Sequence, residues 1–228
     1  MTDPETAGPD GINTVDQTRM AGAAARRVEM PSPVDRLISG NSRFLAAIAS
    51  ASDPEAAVAG LKFADPYSIV LGCSDSRVPP EIVFDEPPGR LFVVRVASNV
   101  AGSAEIGSIE YALSRWECPL LVVLGHTECG GIAAAMDQLP PGADPPPDAR
   151  GAVRLGSLLS SIRTNLGRSP ECLSDDPWRD AVCLNVRRTV ELLQNWSEPI
   201  HRRVAAGRLI VVGAIYDVAT GAVGILTD

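Results

Sequence analysis

Residues 68–77 read SIVLGCSDSR, an uninterrupted apolar run that passes directly into a polar segment. Residues 120–131 repeat this arrangement as LLVVLGHTECGG. Apolar residues that follow one another without alternation are typical of strands buried on both faces of a parallel sheet. The two stretches therefore predict two buried strands, each of which ends in side chains capable of chemistry.

The rest of the chain alternates further apolar runs with helical patterns. Two more strands are predicted at residues 91–96 (LFVVRV) and 209–215 (LIVVGAI). The spacing of apolar residues predicts helices over Val34–Ser50, Ala104–Arg115, Gly131–Gln138, Ala152–Leu166 and Trp178–Ala206. This alternation is the signature of the α/β class. We expect residues 31–228 to form a single α/β domain, with helices flanking a mainly parallel central sheet, and residues 1–30 to form a flexible leader.

Composition and charge argue against several classes of function. The net charge is −8 and no run of Lys or Arg stands out, so a nucleic-acid partner is not expected. No apolar stretch approaches the length of about 20 residues that a membrane-spanning helix needs. The first 30 residues also lack the pattern of a secretory signal. We expect a cytoplasmic protein without a membrane partner.

The cysteine and histidine residues favour a metal site over disulfides. There are five Cys, an odd number that argues against a disulfide framework, and only two His. Cys73, His126 and Cys129 follow predicted parallel strands, whose carboxyl ends meet at one edge of a sheet. Two thiolates and an imidazole suit zinc and leave a fourth tetrahedral position free.

Each feature of this pattern, taken alone, has an ordinary explanation. A lone Cys after a strand is more often a small buried apolar residue. An isolated Asp-x-Arg pair, such as Asp75 and Arg77, is more often a surface ion pair. A structural zinc site is a further alternative, although such sites usually gather four Cys or His ligands. The coincidence of all these residues at one sheet edge favours a functional metal centre.

The residues around the candidate ligands resemble a known family. Cys73-Ser74-Asp75-Ser76-Arg77 and His126-x-x-Cys129-Gly130 resemble the paired signatures of the β-class carbonic anhydrases. Further family-like stretches are Asn41–Phe44, Leu91–Arg95, Gly107–Tyr111 and Gly213–Asp217. The resemblance implies self-association as a dimer or a larger assembly, in which the N-terminal helices pack on a dimer partner.

The resemblance also implies an activity, the zinc-dependent and reversible hydration of CO2 to bicarbonate and a proton by a zinc-bound hydroxide. One zinc ion per chain would be held by Cys73, His126 and Cys129. Asp75, while paired with Arg77, would accept a hydrogen bond from the zinc-bound water. Once released from Arg77, Asp75 would become a fourth zinc ligand and close the site.

The same resemblance assigns a substrate pocket. Phe92 and Ala97 are expected to line the apolar pocket for CO2, and Tyr111 is expected to contact it from the neighbouring subunit. Ordinary core packing is the competing interpretation of Phe92 and Tyr111. The sequence departs from the family at Ala64, where many members carry Gln, and at Ser98, where Gly or Ala is usual. Two alternatives stay open: hydrolysis of another CO2-like molecule such as CS2 or COS, and a non-catalytic zinc-binding role.

Overall fold

The computed structural model describes residues 32–55, 61, 64–137, 153–167 and 175–227. The expected leader over residues 1–30 lies outside the described residues. The described chain begins with helix α1, Pro33–Ala49, which Ser32 caps by accepting a hydrogen bond from the Asp35 N–H at 3.1 Å. Helix α1 belongs to a unit that ends at Ser50, and the remaining elements belong to a second compact unit that begins at Ala51.

A five-stranded sheet forms the centre of the second unit. Its strands are β1 Ser68–Cys73, β2 Leu91–Val96, β3 Leu120–His126, β4 Ile210–Tyr216 and β5 Val223–Ile225. The order in the sheet is β2-β1-β3-β4-β5, and every neighbouring pair is parallel except β4 and β5. This arrangement confirms the expected mainly parallel sheet. The sequence did not predict β5, which is only three residues long.

Helices precede or follow these strands along the chain. They are α2 Pro80–Val83, α3 Ser103–Arg115, α4 Gly130–Asp137, α5 Val153–Leu166, α6 Pro177–Trp196 and α7 Glu198–Ala205. The last two replace the single helix predicted over Trp178–Ala206, because Ser197 leaves the helical conformation and caps α7 by accepting from the Ile200 N–H. Within the described part of the chain, no helix has the length and apolar character needed to cross a membrane.

The middle of the sheet is inaccessible to solvent. Every residue of β1 is buried, and six of the seven residues of β3 are buried. Strand β1 lies between β2 and β3, with Cys73 opposite Val96 and Gly72 opposite Leu124. The carboxyl ends of β1 and β3 therefore lie side by side, and the segments that follow them meet at one edge of the sheet.

Candidate metal centre

The structure brings the three candidate ligands together. Cys73 is the last residue of β1, His126 is the last residue of β3, and Cys129 immediately precedes α4. Their ligand atoms all lie within 4.8 Å of one another, and all three residues are buried. Ligands from the ends of two neighbouring strands and from one helix start form a compact Cys/His/Cys cluster.

The imidazole of His126 is prepared for metal binding. Its Nδ1 lies 2.8 Å from the carbonyl oxygen of Thr127, a contact that requires Nδ1 to carry the hydrogen. Its Nε2 is buried and has no hydrogen-bond partner among the described residues. A buried ring nitrogen without a hydrogen-bond partner is costly unless something binds it. This nitrogen, fixed by a backbone carbonyl on the other side of the ring, has the arrangement of a metal-ligating histidine.

The two thiols interact strongly with each other. Their interaction lowers the pKa of Cys129 and raises the pKa of Cys73, so the pair favours a state in which one of the two sulfurs is a thiolate. The Cys73 Sγ also accepts hydrogen bonds from the backbone N–H groups of Asp75 at 3.4 Å and Ser98 at 3.2 Å. Two buried sulfurs supported by N–H donors form a site for a divalent cation that prefers thiolates.

Asp75 and Arg77 form the expected pair beside this cluster. The guanidinium holds the carboxylate through Nε–Oδ1 at 3.0 Å and Nη2–Oδ2 at 2.9 Å, and the Arg77 N–H also donates to Oδ1 at 2.9 Å. These hydrogen bonds lower the pKa of Asp75 to about 2. Asp75 is therefore ionised at neutral pH and held in one orientation by a two-pronged contact.

Arg95 shapes the loop that carries these residues. Its Nε donates to the Cys73 carbonyl at 2.9 Å, and its Nη2 donates to the Asp75 carbonyl. Arg95 lies opposite Gly72 in the parallel pairing of β1 with β2. The sequence placed Arg95 in a family-like stretch but assigned it no such contact. The sequence feature that could have indicated these contacts is the position of Arg95, one residue before the end of β2.

Glu128 is a second partner of Arg77 that the sequence analysis did not assign. Arg77 Nη1 donates to Glu128 Oε2 at 2.9 Å, and Nη2 donates to the Glu128 carbonyl at 3.1 Å. Glu128 has a positive φ of 57°, in the left-handed region. Arg77 therefore joins the loop that follows the ligand Cys73 to the loop after β3, which contains the ligand Cys129.

The expected pocket residues divide into two groups. Ala97 directly follows Val96, the register partner of Cys73, and so begins the turn next to the cluster. Phe92 lies four residues before Val96 in β2, a distance of about 13 Å along a strand. Phe92 packs against Tyr111 with ring centroids 6.4 Å apart, and Tyr111 is 55% exposed. Within one chain these two aromatic residues lie away from the metal centre, so the expected pocket role of Phe92 and Tyr111 stays a prediction.

The fold and the cluster together define a class of protein. Three buried N and S ligands leave a fourth tetrahedral position for a reactant, whereas structural zinc sites usually fill all four positions with protein ligands. The cluster lies at the carboxyl edge of a parallel sheet, where α/β enzymes form their active sites. These features define an α/β metalloenzyme whose ligand set fits zinc.

Comparison with known proteins identifies the family. A family model described as carbonic anhydrase matches residues 68–223. Carbonic anhydrase 2 of Mycobacterium tuberculosis is 38% identical over 191 residues, which cover 81% of this chain and 87% of the relative. A carbonic anhydrase of Mycolicibacterium smegmatis is 39% identical over 160 residues, 69% of this chain and 73% of the relative. The chain belongs to the carbonic anhydrase family.

Solved structures place the chain in the β class of that family. A tetrameric β-carbonic anhydrase of Sordaria macrospora is 25% identical with a TM-score of 0.69, and the match covers 86% of this chain and 97% of the other. A β-carbonic anhydrase of Coccomyxa, solved in complex with acetazolamide, is 26% identical with a TM-score of 0.71, covering 87% of this chain and 88% of the other.

Proposed function

We propose that this chain catalyses the reversible hydration of CO2 to bicarbonate and a proton, with one zinc ion per chain held by Cys73, His126 and Cys129. The observation that carries the proposal is the buried, unpartnered Nε2 of His126 in a cluster with two cysteine sulfurs. The carbonic anhydrases to which the chain is similar support the choice of CO2 as substrate. A bound zinc ion would supply a water molecule acidic enough to act as a nucleophile near neutral pH.

Asp75 is the residue that we propose to orient the attacking water. Its carboxylate is ionised, because hydrogen bonds from Arg77 lower its pKa to about 2. An ionised carboxylate can accept a hydrogen bond from the attacking water. That bond would fix the orientation of the water and of the lone pair that attacks the substrate. Arg77 acts through Asp75, since it holds both carboxylate oxygens. Among the described residues the ligand cluster does not include Asp75, which supports a proposed open state in which the fourth position is free for water.

The same pair provides a route to an inactive state. If Asp75 left Arg77 and bound the metal, it would fill the fourth position that the substrate water needs. Arg77 would keep its second acidic partner, Glu128, in that state. We propose that the balance between these two positions of Asp75 determines how much of the enzyme is active.

We also propose that the chain works as a dimer or a larger assembly. A relative in Sordaria macrospora is tetrameric. Helix α1 carries exposed apolar side chains, including Leu37 at 75% and Val34 at 66% exposure, which a partner would remove from water. In such an assembly, Phe92 and Tyr111 of one subunit would line the CO2 pocket of its neighbour, next to Ala97. Sedimentation velocity measures the assembly state, and subcellular fractionation checks the expected cytoplasmic location.

The direct test follows CO2 hydration by stopped flow between roughly pH 6.5 and 9, on preparations whose zinc content is measured in parallel. The wild type should hydrate CO2 rapidly with one zinc per chain. Cys73→Ser should lose both zinc and activity. Cys183→Ser is the matched control, because Cys183 is a half-buried free thiol on α6 outside the ligand cluster. That variant should retain both.

The outcomes separate the candidate functions. Full zinc occupancy without CO2 hydration at any pH would overturn the proposal. The same preparation would then be assayed with CS2 and COS. Turnover of either compound would identify a hydrolase of CO2-like molecules, and inactivity with all three would identify a non-catalytic zinc protein.

A further inference from the structure

Ser98 has an unusual conformation next to the metal ligands. It is fully buried and adopts φ 60° and ψ 23°, the left-handed region that residues other than Gly rarely enter. In this conformation its backbone N–H donates to Cys73 Sγ at 3.2 Å. Its hydroxyl oxygen lies 3.5 Å from Cys129 Sγ. One residue that is not itself a ligand therefore contacts both sulfurs of the cluster.

Two amide side chains, of which Asn185 is buried and Asn165 is half-buried, hold Ser98 in this conformation. Asn185, which is 1% exposed, donates from Nδ2 to the Ser98 carbonyl at 2.8 Å. The Asn185 Oδ1 accepts from Asn165 Nδ2 at 2.9 Å, which sets the orientation of the Asn185 amide. Asn165 also donates to Thr189 Oγ1 at 3.2 Å. Residues of α5 and α6 thus stabilise a backbone conformation that is unfavourable for Ser.

The absence of a side chain at Gly131 makes room for the Ser98 hydroxyl. A Cβ built on Gly131 would overlap with Ser98 Oγ. Gly131 is the second residue of α4, where Ala would otherwise favour the helix. The hydroxyl is therefore confined between α4 and the Cys129 sulfur.

We propose that Ser98 is a positioning residue of the metal centre, which fixes both thiolates and limits the charge that they donate to the metal. The inference rests on the proposed zinc site but not on the identity of the substrate. A metal-bound Cys129 has no proton, so the Ser98 hydroxyl must be the donor in their contact. Hydrogen bonds to a ligating thiolate withdraw electron density from sulfur and restrict its orientation. Ser98 supplies one such bond to each sulfur.

The test uses the full chain with Co2+ in place of zinc, because the thiolate-to-cobalt charge-transfer band reports electron density on sulfur. A hydrogen bond lowers the energy of the sulfur electrons and moves this band to shorter wavelength. Ser98→Ala and Ser98→Gly both remove the hydroxyl and keep the backbone N–H. We expect both variants to shift the band to longer wavelength by the same amount.

The two variants should differ in thermal stability, which is the property that a merely structural role of Ser98 would change. Ala keeps the strain of a left-handed residue with a Cβ, whereas Gly relieves it. The thermal midpoint of Ser98→Gly should therefore exceed that of Ser98→Ala, although their cobalt spectra agree. A band shift that follows the thermal midpoint, or no shift in either variant, would overturn the proposal.

A second pair of variants tests the Ser98 hydroxyl by adding a side chain at Gly131, next to it. Gly131→Ala should displace the Ser98 hydroxyl and shift the cobalt band to longer wavelength. In the Ser98→Gly background the same substitution should cause no further shift, because there is no hydroxyl left to displace. An equal additional shift in both backgrounds would contradict the inference.

These measurements also separate this inference from the proposed activity. Absent CO2 hydration together with the expected band shifts would overturn only the activity. A wild-type protein without a thiolate-to-cobalt band would overturn the metal centre and the role of Ser98 with it.

Discussion

Arg77 and Glu128 are 51 residues apart in the sequence, yet Arg77 Nη1 donates to Glu128 Oε2 at 2.9 Å. The same guanidinium holds Asp75 through its other two nitrogens. Asp75 follows the Cys73 ligand, and Glu128 lies between His126 and Cys129. One cation therefore links the loop that follows Cys73 to the loop that carries Cys129, and it holds both carboxylate oxygens of Asp75.

Loss of the Arg77 guanidinium should inactivate the enzyme without removing the metal. In Arg77→Ala, Asp75 loses the hydrogen bonds that orient it and becomes free to bind the metal. We expect CO2 hydration to fall by about 10²-fold, with zinc content unchanged. Arg90→Ala is the control, because Arg90 pairs with exposed Asp65 at the amino end of β2. Wild-type activity in Arg77→Ala would refute the role assigned to the pair.

The Glu128 carboxylate should matter far less than that of Asp75. Its side chain is 67% exposed, and an exposed ion pair contributes about 0–1 kcal/mol. In Glu128→Gln, Arg77 keeps its two-pronged contact with Asp75 and its bond to the Glu128 backbone carbonyl. Activity should stay within about threefold of the wild type, corresponding to a change below about 0.7 kcal/mol. A loss as large as that of Arg77→Ala would contradict the minor role assigned to the Glu128 carboxylate.

The lowered pKa of Asp75 predicts a specific dependence of stability on pH. Its folded value of about 2 lies below the ordinary value near 3.9 for an unfolded chain. A carboxyl with a lowered pKa stabilises the fold at pH above the unfolded value, and this contribution is lost as pH falls from about 4 to about 2. The wild type should be more stable than Asp75→Asn above about pH 5, and the difference should shrink toward pH 2.

Urea unfolding of both metal-free proteins at several pH values measures this difference. Working without metal keeps zinc release at low pH from entering the comparison. A stability difference that is the same at about pH 2 and pH 5 would show that Asp75 does not titrate in the predicted range.

The sequence predicted the sheet and the ligand cluster because both depend on local, short patterns. Unbroken apolar runs identified β1 and β3, and the parallel arrangement then placed Cys73 and His126 at the same edge. The break at Ser197 was also visible in principle, since Ser-Glu-Pro is a helix-start pattern. It was missed because the apolar spacing continues across it.

The contacts that organise the centre could not be predicted in this way. Those of Ser98 depend on a left-handed conformation that Ser rarely adopts, and on Asn185, which is 87 residues away. The contact between Arg77 and Glu128 joins two loops whose relative position is set only by the complete sheet. Long-range polar contacts between irregular segments leave no periodic signal in the sequence.

Close packing beside the metal centre should make Gly125 intolerant of a side chain. A Cβ at Gly125, the residue before His126, would lie 2.5 Å from Val186 Cγ2 and 3.1 Å from Ile215 Cδ1. Gly125→Ala should therefore lower the free energy of unfolding by about 1–3 kcal/mol. Gly107→Ala is the control, since a Cβ at this position in α3 meets no atom within 4 Å and Ala should stabilise the helix.

Val186→Ala tests the cause of this loss. It shortens the side chain that a Cβ at Gly125 would meet, so adding it to Gly125→Ala should recover part of the stability that Gly125→Ala loses. Urea denaturation of the single and double variants measures the coupling. Strictly additive losses would show that Val186 is not the obstacle.

Removal of zinc should destabilise the folded chain as well as abolish its activity. The folded chain brings the unpartnered His126 Nε2 and the two buried sulfurs together, so a bound ion would stabilise the folded state. A ligand present at a thousand times its dissociation constant stabilises the fold by about 4 kcal/mol. Treatment with a chelator should lower the thermal midpoint, and added Zn2+ should restore it. Mg2+ should not restore it, because that ion prefers oxygen ligands.

Two variants show whether this stabilisation comes from the proposed cluster. Cys129→Ser removes one ligand, so its thermal midpoint should respond little to Zn2+. Cys183→Ser leaves the cluster intact and should respond as the wild type does. If zinc raised the midpoint of Cys129→Ser as much as that of the wild type, the stabilising ion would have to bind elsewhere. The Cys/His/Cys cluster would then lose its assignment as the metal centre, even in an active enzyme.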